Sequence, residues 1–132
     1  MSISNYLEEA WLNTLRGGGL GTDYTAPTGV FVKLHITGDP GEDGTATPAL
    51  NTERQPATFA AASNPTGTIT TSADIDWVSV SNTETYFGVS LWDNITDGVG
   101  NCLWTGLLTT SKAVTAGDTF TIAAGDLTLT LE

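Results

Sequence analysis

Gly29-Val-Phe-Val-Lys-Leu-His-Ile-Thr-Gly-Asp-Pro-Gly-Glu-Asp-Gly44 is the stretch on which the reading of the fold turns. Its first half alternates, with Val30, Val32, Leu34 and Ile36 on one side and Phe31, Lys33, His35 and Thr37 on the other. Successive side chains of an extended chain point to opposite faces, so this pattern predicts a strand with one buried face. Its second half is turn chemistry. Gly38 and Gly41 accept positive φ, Pro40 holds φ near −65°, and the Asp39 side chain can bond backbone two residues on.

Upstream, Leu7, Ala10, Trp11, Thr14 and Leu15 recur at the spacing of one helical face, which predicts a helix over residues 5–16. Asn5 with Glu8 fits an N-terminal cap, Arg16 suits the negative end of the dipole, and Gly17-Gly-Gly19 stops the helix. So short a helix is marginal alone, and Leu7, Trp11 and Leu15 need a surface, either this chain's own sheet or a neighbouring subunit. Downstream come a polar excursion from Thr45 to Pro56 and a strand around Phe59. After an Asn64-Pro65 turn comes a Thr-rich strand with Ile69 inward, then Ile75 to Val80 with Ile75 and Trp77 on one side and Val78 and Val80 on the other. Glu84 to Trp92 is the strongest later strand, with Thr85, Phe87, Val89 and Leu91 on one face and Tyr86, Gly88, Ser90 and Trp92 on the other. Cys102 to Thr109 is the next, followed by a turn over 112–118. A closing hairpin is expected around Ala124-Gly125, with Leu127, Leu129 and Leu131 inward. Short strands every ten residues or so, bounded by Gly and Asp, predict a mainly β chain: an antiparallel β-sandwich or jelly roll behind one short N-terminal helix. The expected organisation is a helix and connector arm over 1–28 and a β domain over 29–132, folded as one unit.

Charge narrows the function classes. Fifteen Asp or Glu against four Lys or Arg give a formal net charge of −11 in 132 residues. Nucleic-acid surfaces need clustered positive charge, and anionic membranes attract the same, so neither is an expected partner. No apolar run approaches the roughly 20 residues that span a bilayer, and residues 1–16 hold acids rather than a signal peptide's apolar core. The expectation is a soluble protein made in the cytoplasm. The single cysteine, Cys102, lies in the apolar run Cys102-Leu-Trp104 and reads as a buried, inert thiol.

Candidate chemistry is thin. His35 is the sole histidine, and no Gly-x-Ser-x-Gly elbow accompanies it. It reads as a surface or interface histidine satisfied by a neighbouring strand or loop, and no catalytic residue is expected. One Cys and one His do not make a zinc site. The turn with Asp39, Glu42 and Asp43 and the loop with Asp93, Asn94, Asp97 and Asn101 offer oxygens suited to Ca²⁺, without the spacing of a calcium loop. No metal or cofactor is expected. Gly17-Gly-Gly-Leu-Gly21 follows a helix instead of opening one, which is the wrong geometry for a phosphate cradle. Of four tryptophans, Trp77, Trp92 and Trp104 sit in strand patterns, which leaves Trp11 as the best interface anchor.

Four segments together resemble a family of tailed-phage virion structural proteins, labelled tail-fibre-like and in some phages found as capsid decoration or cement proteins. They are Asn5 to Gly17, ending in Leu-Arg-Gly; Ala26-Pro27 with Val30-Phe-Val-Lys-Leu-His-Ile-Thr-Gly-Asp-Pro-Gly41; Arg54-Gln55 with Phe59; and Phe87-Gly-Val-Ser-Leu-Trp-Asp93 with the run Ala116 to Leu131. The resemblance implies a non-enzymatic virion protein with a β-sandwich or jelly-roll fold. The expectation built on it is a capsid decoration protein on the outer shell. It would bind the major capsid protein and copies of itself as a trimer, with Leu7, Trp11, Leu15, Arg16, Tyr24 and Arg54 at its contacts. The alternative is a receptor- or glycan-binding module of a tail fibre or tail tip.

Overall fold

The structure is a computed structural model that describes residues 1–16, 24–62 and 66–131. Its elements in chain order are β1 (Ser2–Ile3), α1 (Asn5–Leu15), β2 (Val30–Ile36), β3 (Gln55–Ala57), β4 (Thr68–Thr70), β5 (Ile75–Trp77), β6 (Glu84–Trp92), β7 (Cys102–Val114), β8 (Phe120–Ile122) and β9 (Thr128–Thr130). Five strands form one antiparallel sheet in the order β1-β7-β6-β2-β3, and two short ladders, β4-β9 and β5-β8, form the other layer. Val32, Leu34, Tyr86, Val89 and Leu91 from the large sheet join Ile75, Trp77, Phe120, Ile122, Leu127 and Leu129 from the ladders in one core. The chain is a mainly β antiparallel sandwich with one N-terminal helix.

The N-cap of α1 is Ser4, not Asn5: the Ser4 hydroxyl accepts from the Leu7 N–H at 3.2 Å, and it also donates to the Cys102 carbonyl. That second bond and the pairing of Ser2 and Ile3 with Thr105 and Trp104 tie the helix start to β7. Leu7 and Ala10 are buried, so the helix rests on the sandwich by its first two turns only.

Three expectations are corrected by turns and bulges. Phe87 is one extra residue against β2, where His35 pairs with Gly88 and Ile36 with Tyr86, and this bulge turns Tyr86 into the core and leaves Phe87 partly exposed. Against β7 the irregularity is wider, since residues 108–111 of β7 bulge between Leu107, the partner of Gly88, and Lys112, the partner of Tyr86. Ser79 adopts a positive φ of 56°, which resets the facing after β5 and buries Val80 with Ile75 and Trp77. The last two strands do not pair with each other: β8 takes β5 and β9 takes β4, so the Ala124-Gly125 turn links two ladders and is no hairpin. Leu127 and Leu129 face inward as expected, but Leu131, past the end of β9, is exposed. β7 also runs on to Val114, so the turn expected over 112–118 begins only at Thr115, where the Asp118 N–H donates to the Thr115 carbonyl. The Asn64-Pro65 turn and the Gly17-Gly-Gly19 stop lie outside the described residues.

Candidate functional site

Strand β2 is buried on both faces. Val32 and Leu34 enter the core, while Lys33 and His35 on the opposite face are 8% and 0% exposed. The second face is roofed by two loops, residues 37–54 and residues 93–101. In the first, Asp39 Oδ1 accepts from the Gly41 N–H at 2.8 Å, the turn its sequence predicts. Pro40 then lies on Gly88, where a Cβ would meet the proline ring carbons at 3.2 Å. Gly44, at φ +68°, drops between Ser90, Trp92 and Cys102, and a side chain there would stand 2.6 Å from the Cys102 sulfur. The loop returns beside β2, with the Ile36 N–H donating to the Thr47 carbonyl at 2.8 Å and the Ala49 N–H to the Leu34 carbonyl at 3.1 Å.

Beneath this roof runs a chain of polar bonds. Trp92 Nε1–H donates to Ser90 Oγ at 2.7 Å, Ser90 Oγ meets His35 Nε2 at 2.7 Å, and His35 Nδ1 meets the Ala46 carbonyl at 2.7 Å. The carbonyl can only accept, so Nδ1 carries the proton, and the serine hydroxyl, already accepting from the indole, donates to Nε2. His35 is therefore neutral, and burial lowers its pKa from the ordinary value of about 6.5. It is fully buried, not a surface histidine, although a neighbouring loop does satisfy it. A serine bonded to a histidine has the outline of a nucleophilic pair, but both are 0% exposed and Nδ1 meets a backbone carbonyl in place of an orienting carboxylate. The geometry fastens a loop to a strand.

The second loop is fastened by charge. Arg54, whose side chain is 0% exposed, donates from Nη1 to the carbonyls of Asn94 at 2.7 Å and Val99 at 2.9 Å, and its guanidinium lies 4.1 Å above the Trp92 ring. Arg54 Nη2 stands 3.6 Å from Asp97 Oδ1, and Lys33 Nζ makes a hydrogen-bonded ion pair with the same oxygen. Partial burial pushes the Asp97 carboxyl up, but the hydrogen bond and charge of Lys33 outweigh it and hold the pKa below the ordinary range. Cys102 lies beneath, and burial pushes its thiol up to about 12, the inert state its apolar surroundings predict. Of the acidic residues considered for Ca²⁺, Asp39, Asp43 and Asp93 are occupied as turn caps and Asp97 is held by Lys33. Asp93 takes the backbone and side-chain N–H groups of Asn101, and Asp43 takes both groups of Thr45. Among the described residues no group of three or more His, Cys, Asp or Glu could hold a metal ion.

The residues expected at contacts fall into two sets. Leu7 is in the core and Arg54 is inside the network, so the contacts of both are internal. Trp11 (40% exposed), Leu15 (80%) and Arg16 lie on the outward part of α1, joined by Leu12 at 66%, which the helical-face count passes over. Tyr24 is half-buried beside them: its N–H donates to Thr14 Oγ1 at 2.8 Å, and its ring stands 6.1 Å from that of Trp11. Ser90, Trp92, Lys33 and Asp97 escaped the sequence reading as a unit because it takes the β2–β6 register to set Lys33 opposite Ser90 and Phe31 opposite Trp92.

The neutral state of His35 has a consequence for stability. Below about pH 6.5 the unfolded chain takes up a proton that folded His35 refuses, so stability is complete above that pH and falls as pH drops through it. Urea midpoints should decline between pH 7 and pH 5, before the carboxylates titrate. His35→Gln should be less stable at pH 7 but flatter across that interval. An unchanged slope in the variant would show that other groups carry the dependence.

The β2 strand, its Asp-Pro-Gly turn, the roofed face and the helix are parts of one matched unit. A search of curated proteins finds no match. A family model described as "Podophage GP4 fiber I protein gp80" matches residues 2–130, which takes in α1 and every strand. The chain belongs to that family of tailed-phage virion structural proteins.

Proposed function

We propose that this chain is a non-enzymatic structural module of a phage fibre, attached to its neighbour through the outward part of α1. The family description supports the fibre assignment, and the observation that carries the mode of attachment is the helix itself. Trp11, Leu12 and Leu15 are exposed together on an element whose other residues are already anchored by Leu7, Ala10 and Ser4. Large apolar side chains presented on a fixed frame lose little entropy on docking, and aromatic anchors dominate interface energetics. The buried network supports the non-enzymatic reading, since it places its one Ser–His pair out of reach of a substrate.

A second reading is a capsid decoration protein clamped on the major capsid protein, with its copies around a local threefold axis of the capsid exterior. The absence of fibre repeats or coiled-coil heptads from the sequence favours it. Both readings use the same helix face. The double variant Trp11→Ala with Leu15→Ser should keep its fold, because exposed positions change stability by only about 0.5 kcal/mol. It should nevertheless fall at least tenfold in abundance on purified particles, as read by quantitative mass spectrometry. Wild-type abundance of the variant would overturn attachment through α1.

A further inference from the structure

From Gly106 onward the outer edge of β7 has no strand beside it among the described residues: β1 pairs only with Trp104 and Thr105, and β6 lies on the other side. Next to this edge lies an open groove of about 740 Å³, lined by Leu107, Thr109 and Lys112 of β7, by Phe120 and Ile122 of β8, and by Asp126 and Met1. Leu107 is 57% exposed. β7 from Cys102 to Val114 carries no carboxylate, in a chain with fifteen. Among the described residues the ion pairs are those of Lys33 and Arg54 with Asp97, so Lys112 and Asp126 have no ionic partner among those residues.

We propose that a second copy of this chain docks in this groove, with Asp126 of one copy meeting Lys112 of the next. Charge complementarity selects the occupant. Copies carrying −11 each repel one another over most of their surface. The groove is where a strand free of acids, an unpaired lysine and an unpaired aspartate come together, so it supplies both halves of the contact. A lysine and a bulge on an edge strand ordinarily deter pairing with other chains. Here the lysine lines a groove that an aspartate also lines, and the deterrent becomes selective for self. The open backbone of β7 and the side chain of Leu107 add hydrogen-bonding and apolar surface to the contact.

The test is the mass of the purified chain in solution, by sedimentation and light scattering over a concentration series. The wild type should form a dimer or trimer. Lys112→Asp should be folded by circular dichroism and dissociate at least tenfold more readily. Adding Asp126→Lys should restore assembly by reversing the pair, and Trp11→Ala should leave the mass unchanged. A wild type that stays monomeric throughout, a Lys112→Asp variant that assembles normally, or a double variant that stays dissociated would each overturn the proposal.

Discussion

Replacing Arg54 by Leu should cost about 3–5 kcal/mol, the range for removing one partner from a buried charged network. For a chain of this size that lowers the thermal midpoint by roughly 10–20 °C. The variant deletes both N–H donors that hold the carbonyls of Asn94 and Val99, uncovers the Trp92 ring, and leaves Asp97 with Lys33 alone. Lysine should recover less than half of the loss. Its compact ammonium keeps the charge but cannot span two carbonyls and stack on an indole at once. Thermal unfolding followed by tryptophan fluorescence reads both effects, since Trp92 lies under the guanidinium. A midpoint within two or three degrees of wild type in Arg54→Leu would mean that the 93–101 loop is held by something else.

Trp77→Ala should have an effect of the same size through a different cause. Trp77 is fully buried and packs with Phe120 at a ring separation of 5.5 Å, and its Nε1–H donates to the Glu53 carbonyl at 2.9 Å. Truncation of so large a core side chain leaves a cavity and costs about 3–5 kcal/mol. It also frees the segment that leads into β3. Trp77→Phe should lose about 1–3 kcal/mol, mostly the unpaired carbonyl. Chemical denaturation separates the two variants, and equal losses would show that the ring's bulk contributes nothing beyond its hydrogen bond. The contrast with Trp11 is the instructive part: the same substitution on α1 should leave stability nearly unchanged and act only on attachment to the particle.

What the sequence reveals follows from whether a feature is local. The alternation of Val30 to Ile36 and of Glu84 to Trp92 marks two strands whose ends agree with the structure, because period-two burial is written in consecutive residues. The Asp39-Pro40-Gly41 turn is legible for the same reason. Long-range pairing is not local. Nothing in Phe120 to Ile122 or Thr128 to Thr130 says that each prefers a strand about 45 or about 60 residues upstream to its own neighbour. A one-residue bulge at Phe87 inverts the faces of everything before it, and it leaves no mark on the alternation. The roofed network was not visible, since the alternation reads as one buried face and the structure buries both. Lys33 and His35 stand on the second face of β2, and Ser90, Asp97 and Arg54 join them only through the register and two returning loops. The exposed helix face was legible through Trp11 and Leu15, while the inward position of Leu7 depends on the docking of β1 against β7.

The most direct test of the account is an electron cryo-microscopy map of intact particles that carry this protein, at a resolution that shows side chains. The account predicts sandwich-shaped density on the outside of the virion in which Trp11, Leu12 and Leu15 are covered by a neighbouring protein. Density on the virion with those three side chains facing solvent, or particles that lack the protein altogether, would contradict it.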